Sequence, residues 1–373
     1  MAQFQLSDAI IPSVFGPYVQ NVSTKTNRFI QSGITTPNTD DQVNTQLLAP
    51  GDFITLPYIN DLEGDPESWT DQGDINVAGL TTGEQRAFKF RLEKAFGATD
   101  ISNLVSGANA LETIAQRFGA YWNRVDQNIL LKTLAGVFAN SDIAAAKLYD
   151  ETVKAPSNKF GAAGFLGAIS LLGDLQDSTV SKIAVNSAVY GQMKLLQMID
   201  TIQPANAVVP INVYNGMQIV VDDDIPVNAD GTTTAYVFGA GAVGYATAQP
   251  ANAVETEREA RKQGGRTNII NRRVIATHVN GTSVAKDFTP AGQTVTIDEL
   301  AKGTTWASIT DPRNIKVVAY KAKLDSQFVP ASTGSKTSSS AASSAASGVA
   351  SSAASGVASS AASSAATSAA SGK

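Results

Sequence analysis

Residues 216–281 constrain the fold of this chain more than any other stretch. Two apolar runs, residues 216–226 and 235–245, predict strands joined by a turn. A charged segment that opens at residues 254–258 predicts a helix, and an apolar run that ends at His278 predicts another strand. The predicted order is therefore strand, turn, strand, helix, strand, and no catalytic side chain stands out among these elements.

A long amphipathic helix is predicted upstream of this block. Residues 67–155 contain no proline, and apolar side chains recur at helical spacing from Ile101 to Phe138. About 38 helical residues would span nearly ~60 Å. Asp100 or Ser102 can cap the start. Three glycines interrupt the pattern, and we expect bending or breaks there; they are Gly107, Gly119 and Gly136.

Two strand-like runs flank an acidic loop. Residues 53–59 form the first run, and residues 88–93 alternate apolar and charged side chains as a half-buried strand does. The loop between them has no basic residue before Arg86, and its acidic residues are Asp61, Glu63, Asp65, Glu67, Asp71 and Asp74. It also carries Trp69. A two-stranded hairpin is marginal in water by itself, so the hairpin either packs on its own domain or reaches another subunit.

Both ends of the chain differ in composition from the middle. Residues 1–47 are polar and broken by prolines, which predicts an extended arm that cannot fold alone. After Pro330 the sequence is almost entirely Ala, Ser, Thr, Gly and Val, with an eight-residue repeat at 343–350 and 351–358. Such a segment lacks the large apolar groups of a core and predicts a disordered tail.

Composition excludes several classes of function. The net charge of −5 argues against the basic surface that nucleic-acid binders use to neutralise phosphates. The absence of cysteine rules out disulfides, thiolate zinc sites and cysteine nucleophiles. The first twenty residues lack the basic and apolar regions of a signal peptide. No apolar run reaches the length of a membrane helix, so we expect a protein without a membrane partner.

Three motifs invite chemical interpretations that the surrounding sequence disfavours. Residues 239–244 match G-x-G-x-x-G, but no helix pattern follows, so a turn between strands is favoured over a dinucleotide site. Asp222, Asp223 and Asp224 can bind a cation only with further ligands, and we interpret them as a strand end. His278, the only histidine, lies in an apolar run and predicts a packed structural side chain. No nucleophile elbow or phosphate-binding loop is present.

Charged side chains in the predicted helix at residues 254–262 are spaced three apart or four apart. Such spacing pairs Glu255 with Arg258, Glu257 with Arg261, and Glu259 with Lys262. A solvated helix face is the simple interpretation. In an assembly of identical subunits, the same mixed-sign surface can set register between neighbours.

The order of these elements closely resembles the major capsid proteins of tailed bacteriophages, the Hong Kong ninety-seven type, over most of residues 48–325. The block at 216–281 resembles the axial domain of that family. The resemblance implies an α+β fold with an N-terminal arm (1–47), an extended β-hairpin loop (48–98), a peripheral domain with sheet and long spine helix (99–175), an axial domain (176–285), a return to the peripheral domain (286–328) and a disordered Ala/Ser-rich tail (329–373).

The resemblance also implies a function. It predicts a structural, non-enzymatic protein that assembles in the host cytoplasm through pentamers and hexamers into an icosahedral virion shell around double-stranded DNA. The implied partners are other copies of itself, with scaffolding, portal and decoration proteins, and the DNA is enclosed without sequence-specific binding. An encapsulin-type compartment around a cargo enzyme is the alternative, and a two-domain α/β enzyme is a weaker one.

The predicted site residues are therefore contacts between subunits. No catalytic, cofactor or metal residue is assigned. The candidate contacts come from the acidic loop and from the charged segment of the block, and they are Asp61, Glu63, Asp65, Trp69, Glu255, Glu257, Arg258 and Arg261.

Overall fold

The computed structural model describes residues 27–37, 41–60, 62, 64–68, 77, 79–106, 110–154, 158–173, 180–202, 211–292, 294–309 and 311–329. By its internal contacts the chain divides into Met1–Ala331 and Ser332–Lys373. All described residues belong to the first unit. The predicted tail, except Val329, and the first 26 residues of the predicted arm lie outside them.

A five-stranded sheet is organised around one long strand, β13 (Arg266–Val279). Its other members are β1 (Thr35–Pro37), β4 (Phe90–Thr99), β11 (Val243–Ala248) and β12 (Val254–Glu259). The first half of β13 lies antiparallel to both β12 and β4, and its second half pairs with β11. β1 extends the sheet parallel to β11. Residues 35–37 are thereby paired with residues 243–245, inside the 216–281 block.

A second, mixed sheet has seven strands, which are β5 (Leu148–Asp150), β6 (Val180–Val185), β7 (Asp200–Ile202), β8 (Ile211–Tyr214), β9 (Met217–Val221), β10 (Thr232–Gly239) and β16 (Val317–Lys323). Their order in the sheet is β5-β16-β10-β6-β9-β8-β7. β16 lies between β5, to which it is parallel, and β10, to which it is antiparallel. This confirms a strand near residues 314–322, and its pairing partners belong to this sheet.

Two small sheets complete the strands of the described residues. β2 (Phe53–Ile59) pairs with β3 (Thr82–Phe88), and β14 (Thr282–Val284) pairs with β15 (Trp306–Ser308). A hairpin that begins with the predicted strand at 53–59 is therefore present. Its second strand is residues 82–88. The prediction of residues 88–93 as the second strand was wrong, because most of that run belongs to β4, which pairs with β13.

The helices include one of 30 residues, α4 (Ala110–Ala139). The others are α1 (Arg28–Gln31), α2 (Asp41–Leu48), α3 (Asp100–Ser106), α5 (Ser141–Lys147), α6 (Ala162–Ser170), α7 (Ser187–Leu195) and α8 (Ile297–Leu300). α4 is continuous through Gly119 and Gly136, so the prediction of a break at these two glycines was wrong. Gly107 lies outside the described residues. No single described helix is long and apolar enough to cross a membrane; α4 and α5 meet that test only as a pair bent by 91°.

The long helix α4 lies between the two large sheets. One apolar cluster joins its buried side chains to Phe90 and Ile275 of the five-stranded sheet and to Phe238 and Val317 of the seven-stranded sheet. A second cluster, with side chains from α6 and α7, covers the other face of the seven-stranded sheet. Alternate residues of β16 therefore point into different cores, as a doubly covered strand requires.

The segment at residues 254–258 was predicted as a helix, and this was wrong because it forms strand β12. Backbone pairing with β13 runs from Val254 opposite Asn271 to Glu259 opposite Arg266. The connection turns through three residues with positive φ, Gln263, Gly264 and Gly265, and glycine tolerates that conformation at little cost. The 216–281 block is thus made of strands divided between the two large sheets.

Candidate functional site

The extended hairpin, β2 with β3, is buried at its root and exposed toward its tip. The pairing runs from Phe53 opposite Phe88 to Ile59 opposite Thr82. Ile54 and Phe88 are each 1% exposed, whereas Ile59 is 68% exposed. Among the described residues of the hairpin, apolar burial fixes the end at Ile54 and Phe88 to the body of the subunit.

Polar contacts also hold the root. The Gln85 amide donates to the Thr282 carbonyl at 3.0 Å and contacts Nε2 of His278. The backbone N–H of Arg86 donates to Oγ of Ser283 at 3.0 Å. These contacts tie β3 to the start of β14, so the direction in which the hairpin leaves the body is set by the fold.

The acidic loop, residues 60–81, is closed at its neck and open beyond it. Asn60 and Thr81 are joined by a backbone hydrogen bond of 3.0 Å and a side-chain bond of 2.9 Å. Beyond the neck, Leu62 is 77% exposed and Val77 88% exposed. Of the predicted contact residues in the loop, Asp65 is exposed; Asp61, Glu63 and Trp69 lie outside the described residues.

The charged edge, residues 254–266 of β12 and its turn, carries the other predicted contacts. Arg258 reaches Asp100 at the start of α3, with Nη2 to Oδ2 at 2.7 Å. The hydrogen bond from this guanidinium is the main cause that lowers the pKa of Asp100. Arg261 is exposed and forms no ion pair with another described residue. Both surfaces that carry the predicted contacts are therefore accessible.

Strand geometry changes the charge pairs that helical spacing predicted. Glu255 pairs with Arg272 on β13 at 2.5 Å instead of with Arg258. Glu257 accepts a hydrogen bond from the Asn268 amide at 3.1 Å instead of pairing with Arg261. Only the pair of Glu259 with Lys262 forms, at 2.5 Å, because the turn after β12 brings these two residues together.

The three motifs have structural roles. Residues 239–244 form the turn from β10 to β11, as predicted. His278 is buried in β13, and burial lowers its pKa to about 4. Asp222 is buried, which raises its pKa, and one Gln127 amide nitrogen donates to both Asp222 and Asp224. No group of three or more metal-ligating acidic, histidine or cysteine side chains occurs among the described residues.

A buried polar network joins α4 to the five-stranded sheet, and sequence reasoning missed it. Asp126 of α4 forms an ion pair with Arg273 of β13 and accepts a 2.8 Å hydrogen bond from the Tyr245 hydroxyl. The Arg273 guanidinium lies 4.7 Å from the ring centre of Trp122. One signal in the sequence could have indicated this network. Asp126 and Arg273 are charged residues at positions where the apolar patterns of α4 and β13 predict buried side chains.

The α4 cleft is an open groove of about 450 Å³ beside the long helix. One stripe of α4 forms a wall, and the β9–β10 connection, β10 and the end of α8 form the remainder. The lining residues are Arg124, Asn128, Leu131, Lys132, Ala135, Asp224, Pro226, Tyr236 and Ala301. Among the described residues, the surfaces that carry the candidate contacts are a projecting hairpin and a charged edge, and a groove lies beside α4.

Comparison with known proteins gives one relative by sequence and several solved structures of similar fold. No family model matches the sequence. The major capsid protein of Bacillus phage SPP1 is 34% identical over 330 residues, which are 87% of this chain and 99% of that protein. The cyanophage Pam1 capsid asymmetric unit has a TM-score of 0.54 at 13% identity, covering 87% of this chain and 99% of that one. The head structure of Helicobacter pylori bacteriophage KHP40 has a TM-score of 0.51 at 9% identity, covering 87% and 98%.

Proposed function

The chain belongs to the phage major capsid proteins, and from this membership we propose how its copies meet in the virion shell. It is a structural subunit of a tailed-phage capsid, and the comparisons give no support to an encapsulin-type compartment. We propose that the extended hairpin and the charged edge are its contact surfaces with neighbouring copies. The protein then acts through packing rather than catalysis.

The exposure of apolar side chains on the acidic loop carries this proposal. Leu62, Val77 and Leu80 of the loop are all more than half exposed, and so is Ile59 at the end of β2. Large apolar side chains exposed along one projecting segment are groups that an interaction with a partner would bury. Burying them against a neighbour gives about 25 cal/mol per Å² of apolar area, which favours assembly over the free subunit.

The charged edge supplies orientation more than affinity. Arg258 and Glu257 lie at its exposed surface, and Arg261 has no ion pair among the described residues. Exposed ion pairs contribute only ~0–1 kcal/mol each, but mixed charges exclude wrong registers between identical surfaces. We propose that Glu255, Glu257, Arg258 and Arg261 act in this way between subunits.

The finer organisation of the shell follows as part of the same proposal. Residues 1–47 act as an arm, 48–98 as the extended hairpin, and 99–175 with 286–328 as the peripheral domain; 176–285 form the axial domain and 329–373 the tail. Pentamers and hexamers close into an icosahedral shell around double-stranded DNA. Scaffolding, portal and decoration proteins are further partners. The net charge of −5 supports enclosure of DNA without tight binding.

Deletion of residues 61–80 tests the contact proposal. Joining Asn60 directly to Thr81 removes the acidic loop and keeps the paired strands β2 and β3. We expect a soluble, folded subunit that no longer forms closed particles, measured by electron microscopy and sedimentation of the protein expressed with its assembly partners. The matched control is Leu166→Ser, which changes a 49% exposed apolar residue on α6. Normal particles from the deletion variant would refute the role of the hairpin.

A further inference from the structure

Asparagine or aspartate followed by glycine is the sequence at which a protein backbone most readily reacts with its own side chain. A glycine has no side chain to shield its nitrogen from the carbonyl carbon of the preceding side chain, so the two can close a succinimide ring. The sequence holds such pairs at Asn215–Gly216, Asp230–Gly231 and Asn280–Gly281. All lie outside helices and strands, and each glycine has a positive φ. Their reactivity therefore depends on how firmly each side chain is held.

The pair at Asn280 is held in place. Its side-chain amide donates a 2.7 Å hydrogen bond to the Gly241 carbonyl. A Cβ placed on Gly281 would lie 3.1 Å from the Ile315 side chain, so the backbone of this turn is closely packed. Ring closure would have to break the amide bond to Gly241 and shift the packed turn, which requires local opening of the structure.

The pair at Asp230 is held by different contacts. Its carboxylate accepts hydrogen bonds from the backbone N–H and the hydroxyl of Thr232, at 3.1 and 2.6 Å. The bond from the hydroxyl is the main cause that lowers the pKa of Asp230, so the group stays an ionised carboxylate, which resists attack by a nitrogen nucleophile. The N–H of Gly231 is also engaged, because it donates to the Asn228 carbonyl at 2.9 Å.

The pair at Asn215 is free of such contacts. It forms the whole two-residue turn between β8 and β9, because the flanking Tyr214 and Met217 already pair with each other. Asn215 is exposed, and its side chain has no hydrogen bond to another described residue. A Cβ placed on Gly216 would meet nothing within 4 Å. The side chain and the backbone of this turn therefore have room to rotate toward each other.

We propose that Asn215 is a site of spontaneous deamidation through a succinimide. The backbone nitrogen of Gly216 loses its proton to hydroxide and attacks Cγ of Asn215. A carbon–nitrogen bond forms, and the side-chain amide nitrogen leaves as ammonia. Water then opens the ring at either of its two carbonyl groups, which gives aspartate or isoaspartate. Water is the only co-reactant consumed, and a neutral side chain becomes a carboxylate.

The two products differ in their effect on the turn. Aspartate adds a negative charge and keeps the length of the backbone. Asn215 has a φ of 49°, a left-handed conformation in which aspartate is also enriched, so this product fits the existing turn. Isoaspartate lengthens the main chain by one carbon atom and disturbs the pairing of Tyr214 with Met217. The site lies on neither of the proposed contact surfaces, so this inference goes beyond the contact function.

Ageing of the natural protein tests the site without any substitution. The folded subunit is kept in mildly alkaline buffer made with heavy-oxygen water, and the fraction of each asparagine that has gained heavy oxygen is measured by peptide mass spectrometry. Asn215 should convert at least about tenfold faster than Asn280, which must first open locally. Asn280 is the matched control, because it too precedes a glycine. Equal rates at the two positions, or a faster rate at Asn280, would overturn the proposal.

The same measurement in concentrated urea shows whether the fold causes the difference. Both pairs are released from their contacts in the unfolded chain, so Asn215 and Asn280 should then convert at similar rates. A difference in urea as large as that in the folded subunit would overturn the structural explanation, because the contacts of Asn280 would not be its source.

Isoaspartate provides an independent readout. A purified isoaspartyl methyltransferase with a labelled methyl donor marks this product in the aged, folded subunit. Asn215→Gln should remove most of the label, because glutamine would have to close a larger and less favourable ring. Asn280→Gln, the matched substitution, should leave the label unchanged. Label that persists in Asn215→Gln at the level of the natural protein would overturn the assignment to this turn.

Discussion

Asp126 and Arg273 form the least exposed ion pair among the described residues, with side chains 2% and 14% exposed. Burial lowers the pKa of Arg273 to about 10, so the guanidinium stays charged at neutral pH. A buried charge is tolerable only with its partner, and here Tyr245 and Trp122 add a hydrogen bond and a cation–π contact. The pair fixes α4 to β13 at one position.

We predict that Asp126→Ala lowers the free energy of unfolding by about 3–5 kcal/mol, because Arg273 remains buried without its counter-charge. Urea unfolding of the unassembled subunit measures this loss. The control is the double variant Asp126→Leu with Arg273→Met, in which no charge is left buried. A double variant as unstable as Asp126→Ala would show that lost packing, not the orphaned charge, is the cause.

His278 gives the folded subunit a dependence on pH. Its pKa is lowered from 6.5 to about 4 because the imidazole is buried. The folded state therefore favours the neutral ring. The contribution of His278 to the free energy of unfolding is fully present above pH 6.5 and is lost as the pH falls toward 4. The loss reaches about 3 kcal/mol at pH 4.

His278→Gln should remove this part of the acid sensitivity. We expect the free energy of unfolding of the natural protein to fall more steeply between pH 6.5 and 4 than that of the variant, measured by urea titration at each pH. The carboxylates titrate in both proteins, so the difference between the two curves isolates the imidazole. Parallel curves over this range would contradict a buried neutral histidine.

Single side chains differed in how far sequence could predict them. The apolar run around His278 correctly indicated a packed residue, because that signal is local. The Asp126–Arg273 pair could not be found in this way, since 147 positions separate the two residues and either could have been a surface charge. Local pattern reports burial, whereas a buried charge pair depends on how two distant elements pack.

Strand β12 shows why it was harder to predict whether a segment is a helix or a strand than to predict that it has regular secondary structure. Its charges alternate in sign at spacings that suit a helix, and the segment has few apolar side chains to show a period of two. It is an edge strand with mostly exposed residues, so burial leaves no clear pattern in it. Pairing with β13 and the positive-φ turn at residues 263–265 decided the outcome. Neither can be read from residues 254–259 alone.

Two glycines of α4 should respond oppositely to the same substitution. A Cβ at Gly136 would overlap the Leu300 carbonyl and lie 2.6 Å from Nε1 of Trp306, whereas a Cβ at Gly119 would meet nothing within 4 Å. Gly136→Ala should therefore cost about 1–3 kcal/mol through overpacking, and Gly119→Ala should gain up to ~1 kcal/mol of helix propensity.

Thermal unfolding of the two variants measures this contrast, and each serves as the control of the other. The midpoint should fall for Gly136→Ala and rise slightly for Gly119→Ala. A similar gain at both positions would mean that α4 does not approach Leu300 as closely as described.

In the whole subunit, the hairpin root and its loop should differ in protection from solvent. Amides at residues 64, 65, 68, 79 and 80 should exchange with deuterium quickly in the free subunit and slowly in assembled particles, because a neighbour covers them there. Amides in the middle of α4 should be protected in both states. Hydrogen exchange with mass spectrometry measures this, and equal exchange of the loop in both states would argue against burial on assembly.

The fold and the contact site were predictable to different degrees. The order of hairpin, long helix and strand-rich block could be predicted, because each has a strong periodic pattern, and the comparisons confirm the capsid fold. The α4 cleft could not be predicted. It is formed by Arg124, Pro226, Tyr236 and Ala301, which belong to different parts of the chain and come together only through the packing of α4 against the seven-stranded sheet.

The position of β16 has a consequence for synthesis of the protein. This strand, one of the last described elements, completes an interior position of the seven-stranded sheet and is buried along most of its length. A ribosome that stops before residue 317 therefore releases a product whose sheet has a gap between β5 and β10. Incomplete translation products therefore lack a buried interior strand and cannot acquire the finished shape.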